Sequence, residues 1–448
     1  MKRMMILGVL PLLLPVAVSA LTINEALVHV INTNPEVRNR IENYRAVEQD
    51  HDIAFSGYLP VVDAQVGYGQ KRYDDIVPEY NTDNYNYTEA FIRARQNLFH
   101  GFGTQNDVEQ QNKRLISAEY YLMERVSQLG LQMINTYMEI LKARKIVDLA
   151  IENHGVHKEY YSKIKARTGS GAGNQGDMEQ ISGRMALSHS NVIVAENNLL
   201  DAETNFLRIY GYGEGVSTSN LKEATVDNSL IPKSLDSAEE LVERQYPSIL
   251  AAQNNVKALE AGYKQSKENY YPWVDLELKQ SYYDNDADGF TGSSLRDEVD
   301  QTTIMVVASW NLYNGGADDA LVEKSAARMF EESDRMLNIK RLASERLRLS
   351  WAAKERLAEQ LKYLKQHRDY SKKTLEAYNE EFDLGRRTLL DVLDVKNEYF
   401  LSRKAYISTH YDAILAKYRV IENVGNLPNM VSFSSDDLIK FKRHRHGN

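Results

Sequence analysis

The chain repeats itself, and this constrains its fold more than any single motif. Asn34-Pro35-Glu36-Val37 has a counterpart in Tyr246-Pro247-Ser248-Ile249, and Tyr58-Leu59-Pro60 in Tyr270-Tyr271-Pro272, both 212 positions later. Asn97-Leu98-Phe99-His100-Gly101 then matches Asn311-Leu312-Tyr313-Asn314-Gly315, and Gly171 and Asp177 match Gly385 and Asp391, all at an offset of 214. Matches in one order, with a single two-residue slip, mark a duplication. The polar, aperiodic stretch 215–236 reads as the connector. The repeats are placed at 21–230 and 231–430, with a basic tail at 431–448 that is expected to be disordered.

Each half follows one plan. A helical stretch, 22–56 or 237–269, runs to Pro60 or Pro272, and proline suits the first position of a strand. Residues 273–282 alternate: Val274, Leu276, Leu278 and Tyr282 share one face, Asp275, Glu277, Lys279 and Ser281 the other. In 302–312, Ile304, Val306, Ala308, Trp310 and Leu312 fall together; in 88–98, Ala90, Ile92, Ala94 and Leu98 lie opposite Arg93 and Arg95. The segment 61–70 alternates least clearly. Each half thus carries a hairpin of strands about ten residues long, enough to cross an outer membrane at a tilt. Four strands cannot close a membrane barrel, and open edges cannot face lipid, so several chains must share one barrel. Tyr68, Tyr282, Trp310 and Tyr313 are candidates for its interfacial girdles, with ordinary sheet packing the alternative.

Long helices follow each hairpin. Val108, Leu115, Leu122 and Leu129 recur every seven residues, and Ile181, Met185, Ser188, Val192, Ala195, Leu199, Ala202, Phe206 and Ile209 step by four and three. This is coiled-coil spacing, and about 50 residues of such helix would be roughly 75 Å long. Nine prolines against abundant Leu, Ala, Glu, Lys and Arg favour such helices. The breaks Arg167–Gln175 and Phe382–Arg387 contain Gly171, Gly173 and Gly385 and read as hairpin tips.

The second tip opens into Gly385-Arg-Arg-Thr-Leu-Leu-Asp-Val-Leu-Asp-Val-Lys-Asn-Glu398, whose Asp391 and Asp394 share a helix face. Asp391 lies six residues past the glycine, where help from the helix dipole fades, and on the seam line four before Val395. A carboxylate in a dry seam is costly, so these acids are expected to face water or a cation. Gln180 stands where the first repeat would carry the second acid.

No other chemistry competes. The ten histidines form no paired ligand pattern, and no phosphate loop or nucleophile elbow is present. With no cysteine there is no thiol catalysis, disulfide or lipidated N-terminal cysteine. Neither enzyme nor cofactor is expected. Asp284–Gly289 opens like a calcium loop, but Leu295 stands where the bidentate glutamate is needed. A net charge of −9 disfavours a nucleic-acid partner. Residues 1–20, with Lys2 and Arg3 before an apolar run and Val18-Ser19-Ala20 at its end, read as a signal peptide. A retained anchor is the alternative.

The repeated Pro units, the two Asn-Leu-aromatic strand ends and the tips Arg167–Gln180 and Gly385–Glu398 together resemble the TolC family of trimeric outer-membrane channels, over essentially all of 21–430. The first tip looks most like members that serve type I secretion. The resemblance implies a mainly α fold with β: a long antiparallel coiled-coil α-barrel plus four strands per chain in a shared twelve-stranded transmembrane barrel. It implies a homotrimer in the outer membrane lipid, extending into the periplasm. A periplasmic adaptor and an inner-membrane ABC or proton-driven transporter would dock at the tips, and exported substrate would pass through. It further implies that Asp391 and Asp394 ring the periplasmic aperture, and that Arg387 latches it with Asp177. Gly171, Gly173 and Gly385 would mark the adaptor-docking tips. Phe382 and Gly176 replace a latch tyrosine and threonine. Multidrug efflux and a structural or adhesive coiled-coil protein are the competing readings.

Overall fold

The structure is a computed structural model that describes residues 20–73, 83–212, 218–286 and 299–431. Nearly all of the expected signal segment, the tail after Val431 and most of the acidic 284–300 loop lie outside the described residues. The described chain divides into two compact units. One is built from the N-terminal part up to Arg38 with Arg125–Val242 and the part from Ser344 onward; the other from Asn39–Glu124 and Glu243–Ala343.

The elements recur in one order. The first set is α1 (Ile23–Thr33), α2 (Pro35–Ser56), β1 (Val61–Tyr73), β2 (Asp83–His100), α3 (Gly103–Gly169) and α4 (Gln175–Tyr210). The second is α5 (Leu235–Gln245), α6 (Pro247–Gln265), β3 (Trp273–Asp286), β4 (Val299–Ser309), α7 (Ala317–Asp383) and α8 (Leu389–Asn423). The continuous helices expected at 22–56 and 237–269 are each broken in two, at the repeated X-Pro step. Pro35 and Pro247 take first-turn positions, where a missing N–H costs nothing. Asn34 Oδ1 accepts the Glu36 N–H at 2.9 Å while its Nδ2 donates to the Ile209 carbonyl at 3.0 Å, tying the break to the end of α4. No described helix is long and apolar enough to cross a membrane.

In the first unit the heptad positions carry the core. Val126, Leu129, Met133, Ile140, Ile181 and Phe206 are buried, and Ser188, Ala195 and Ala202 supply small contacts between them. Tyrosines fasten the connector to this core. The Tyr137 hydroxyl lies 2.7 Å from the Leu21 carbonyl and 2.6 Å from that of Lys222, and Tyr418 donates to the Thr225 carbonyl at 3.0 Å. Burial pushes both phenols up to about 12. Leu21 itself forms a parallel bridge with Leu221.

The second unit holds one antiparallel sheet in the order β1-β2-β3-β4, so the two hairpins join through β2 and β3. The register lines up Val62, Ala94, Leu278 and Ile304 across the sheet, and one step along lines up Asp63, Arg93, Lys279 and Thr303. The first row repeats as apolar side chains that stand open: Val66, Ile92, Ile304 and Val306 are all more than half exposed. The second row is polar, with an Arg93–Asp63 ion pair at 3.2 Å. One face is therefore suited to lipid and the other to water. The weakly alternating 61–70 is a full strand. Leu98 is not in the apolar row, because a bulge between Asn97 and Phe99 shifts the register there. Trp310 and Leu312 lie past the end of β4. Neither β1 nor β4 has a partner on its outer edge within the described residues.

Candidate functional site

Both tips stop their first helix in the same way. Gly171 (φ 81°) and Gly385 (φ 73°) take the left-handed conformation that reverses the chain. The N–H groups of Gly171 and Ala172 return to the carbonyls of Thr168 and Arg167, and those of Gly385 and Arg386 to Phe382 and Glu381. This double bond pattern is a Schellman motif, which satisfies the helix's last carbonyls. Gly173 is held by a different need: a Cβ there would lie 2.7 Å from the Thr168 backbone. All three tip glycines are exposed.

The helices that leave the tips are capped by matching positions. Asn174 Oδ1 accepts the Gly176 N–H at 2.9 Å. Thr388 stands at the equivalent place and forms a capping box with Asp391. Its Oγ1 accepts the Asp391 N–H at 3.3 Å, while Asp391 Oδ2 accepts the Thr388 N–H at 3.2 Å and hydroxyl at 2.7 Å. Asp391 thus lies in the first turn of α8, not beyond the reach of the dipole. The loop from Leu384 to Arg387 delays the helix start and keeps the acid near it. The Thr388 hydroxyl, its N–H and the charge of Arg387 hold the Asp391 carboxyl below the usual carboxylate range.

The dry seam also differs from the expected line. Leu389, Val392 and Leu393 are buried with Tyr160, Ile164 and Ile181, and Phe382, Tyr378 and Met178 pack against them. Val392, not Asp391, occupies the seam. Asp391 is partly exposed and Asp394 exposed. Phe382 is partly buried against this cluster, with its ring 6.3 Å from that of Tyr160.

Arg387 and Asp394 are engaged within the chain. Arg387 donates from Nε to Glu381 at 2.5 Å and stacks its guanidinium 4.1 Å above the Tyr378 ring. Asp177 lies partly buried in the first turn of α4. Asp394 accepts from Arg184 Nη2 at 2.7 Å across α4 and α8. Further ties join the hairpins, among them Tyr160 to Asn379 at 2.9 Å, Arg403 bidentate to Glu152 at 2.6 and 2.9 Å, and Lys142 to Asp412 at 3.6 Å. Sequence reasoning missed Arg184, Glu381 and His157. The first two were visible only as charges on exposed helix faces. His157 is buried on α3 with Lys396, Arg184 and His154 nearby, and burial pushes its pKa down to about 4.

This constellation holds capped helix starts, exposed carboxylates and ion pairs between hairpins. It can attract and release cations and can hold two hairpins together.

Comparison with known proteins agrees with that inventory. The family described as outer membrane efflux protein matches residues 26–212 and again 240–426, two stretches that start 214 positions apart. The outer membrane efflux protein BepC of Brucella suis is 22% identical over 91% of this chain and 86% of its own length. The outer membrane protein TolC of Escherichia coli is 20% identical over 88% and 80%. Among solved structures, the CmeC outer membrane channel of Campylobacter jejuni superposes with a TM-score of 0.81 at 14% identity, covering 94% of this chain and 89% of that one. The outer-membrane channel OprN gives 0.79 at 17% identity, covering 90% of both. The mainly α fold with its four-stranded sheet is that of these channels, whose family is one of transport and not of enzymes. With its sequence matched along both repeats, the chain belongs to the outer membrane efflux protein family, the channels of tripartite export systems.

Proposed function

We propose that three copies of this chain form a duct whose periplasmic mouth is an acidic gate made by Asp391 and Asp394. The observation that carries the reading is the contrast at the start of α8. Leu389, Val392 and Leu393 are buried, while the acids among them remain open to solvent and Asp394 is exposed. Three copies would set six carboxylates around an axis, and rings of aspartate select cations. The unpaired edges of β1 and β4 supply the reason for a shared barrel: each needs a strand from a neighbour, and three chains give twelve strands. Arg387, with Asp177 of an adjoining hairpin, is the proposed latch, in competition with its bond to Glu381. The tips at Gly171, Gly173 and Gly385 are the proposed adaptor-docking points.

For cargo the proposal is a protein, handed over by an ABC transporter in type I secretion. The support is the first tip, Arg167–Gln180, which resembles that branch. Deletion of the gene tests this. The reading predicts a protein lost from the culture medium with drug susceptibility unchanged. Raised susceptibility with an intact set of secreted proteins would make drug efflux the function instead.

A further inference from the structure

Of the ties between the two hairpins, the Arg184–Asp394 pair alone involves an acid of the proposed aperture. Arg184 Nη2 lies 2.7 Å from Asp394 Oδ1, and the arginine side chain is the more covered of the two, at 29% exposure against 58%. Near it is the buried ring of His157, around which Lys396 from α8 and His154 from α3 also stand. The pair also occurs once. The duplication sets Arg184 against Glu398 and Asp394 against Gln180, so the symmetric position holds no cation for an acid. The ties Tyr160–Asn379 and Arg403–Glu152 hold the same hairpins but leave the charge of the aperture untouched.

We propose that Arg184 is both a clasp and a charge mask. While α4 and α8 are packed, Arg184 neutralises Asp394 and the mouth presents the Asp391 ring alone. When the hairpins part, the clasp breaks and the second acidic ring is uncovered, so that opening raises cation affinity. The inference rests on the reading of Asp391 and Asp394 as pore-facing. It adds that the two acids are unequal in the resting channel and names the residue that makes them so.

The test is block of the reconstituted full-length channel in a planar bilayer by magnesium ion added at the periplasmic side. Asp391→Asn is expected to weaken resting block by about tenfold, the order of one exposed ion pair per carboxylate, and Asp394→Asn by less than about twofold. Arg184→Gln is expected to raise resting conductance and tighten block by about tenfold, and to leave block unchanged in an Asp394→Asn background. Arg184→Lys keeps the charge and should stay near the starting channel. Equal losses from Asp391→Asn and Asp394→Asn would overturn the mask without needing any Arg184 variant to fold. Tightened block from Arg184→Gln in the Asp394→Asn background would overturn it too. If Asp391→Asn and Asp394→Asn both leave block unchanged, the pore-facing reading itself fails, a result distinct from failure of the mask.

Discussion

At the scale of single residues, the tip is a set of short-range commitments. Thr388 has two: it starts α8 and it holds the Asp391 carboxyl low. Thr388→Ala should cost about 1 kcal/mol of stability, measured by denaturant unfolding. It should also return the Asp391 pKa toward its ordinary value, so that cation block by Asp391 begins to fade at a higher pH than in the parent. His157 acts in the opposite sense to a salt-bridged histidine. Folded, it stays neutral down to about pH 4, whereas an unfolded histidine takes its proton near 6.5. Between those values the unfolded chain binds more protons, so stability is complete above pH 6.5 and falls as pH drops toward 4. The loss amounts to roughly 3 kcal/mol at most. His157→Leu should remove that acid-sensitive step from the melting temperature plotted against pH; an unchanged step would assign it to other groups.

At the scale of elements, the two repeats make the same turn under different pressure. Gly101 and Gly315 both have positive φ, 55° and 62°, at the passage from strand to long helix. A Cβ on Gly101 would sit 2.2 Å from the Glu268 carbonyl oxygen, whereas one on Gly315 meets nothing within 4 Å. Gly315→Ala should therefore cost about 1 kcal/mol, the conformational penalty alone, and Gly101→Ala about 2 kcal/mol more, by thermal unfolding. Elements of this size were legible in the sequence because their signals are periodic or punctuated. The heptads ending at Phe206 and Ile209, the alternation of 273–282 and the glycines at the tips each state a local rule that the fold obeys. What was not legible depended on contacts between segments far apart in sequence. The broken helix at Asn34-Pro35 is stabilised by a bond to Ile209, and the seam passes through Val392 instead of Asp391 because Thr388 turns the acid back on its own helix. Arg184 meets Asp394 across 210 positions. The bonds to Ile209 and from Arg184 have no spacing to read, whereas Thr388-x-x-Asp391 is a capping-box spacing that the sequence did show.

At the scale of the whole molecule, the sheet is an unfinished object. Its apolar face is open and, among the described residues, both its edges are bare, a combination that would aggregate in water and cannot stand in lipid until closed. The chain has no cysteine, so single cysteines are clean probes. Gln65→Cys on β1 and Gln301→Cys on β4 lie in one register row with Phe91 and Ser281. A chain carrying both should cross-link between chains with short bismaleimides, in a ladder that stops at three; a ladder that stops at two or continues past three would contradict the shared barrel. The central claim, that Asp391 and Asp394 line the mouth of such a duct, is tested most directly by reversal potential across a salt gradient in a planar bilayer. The parent channel should prefer cations, and Asp391→Asn/Asp394→Asn should conduct with that preference lowered. A double variant that conducts with unchanged selectivity would remove both acids from the axis.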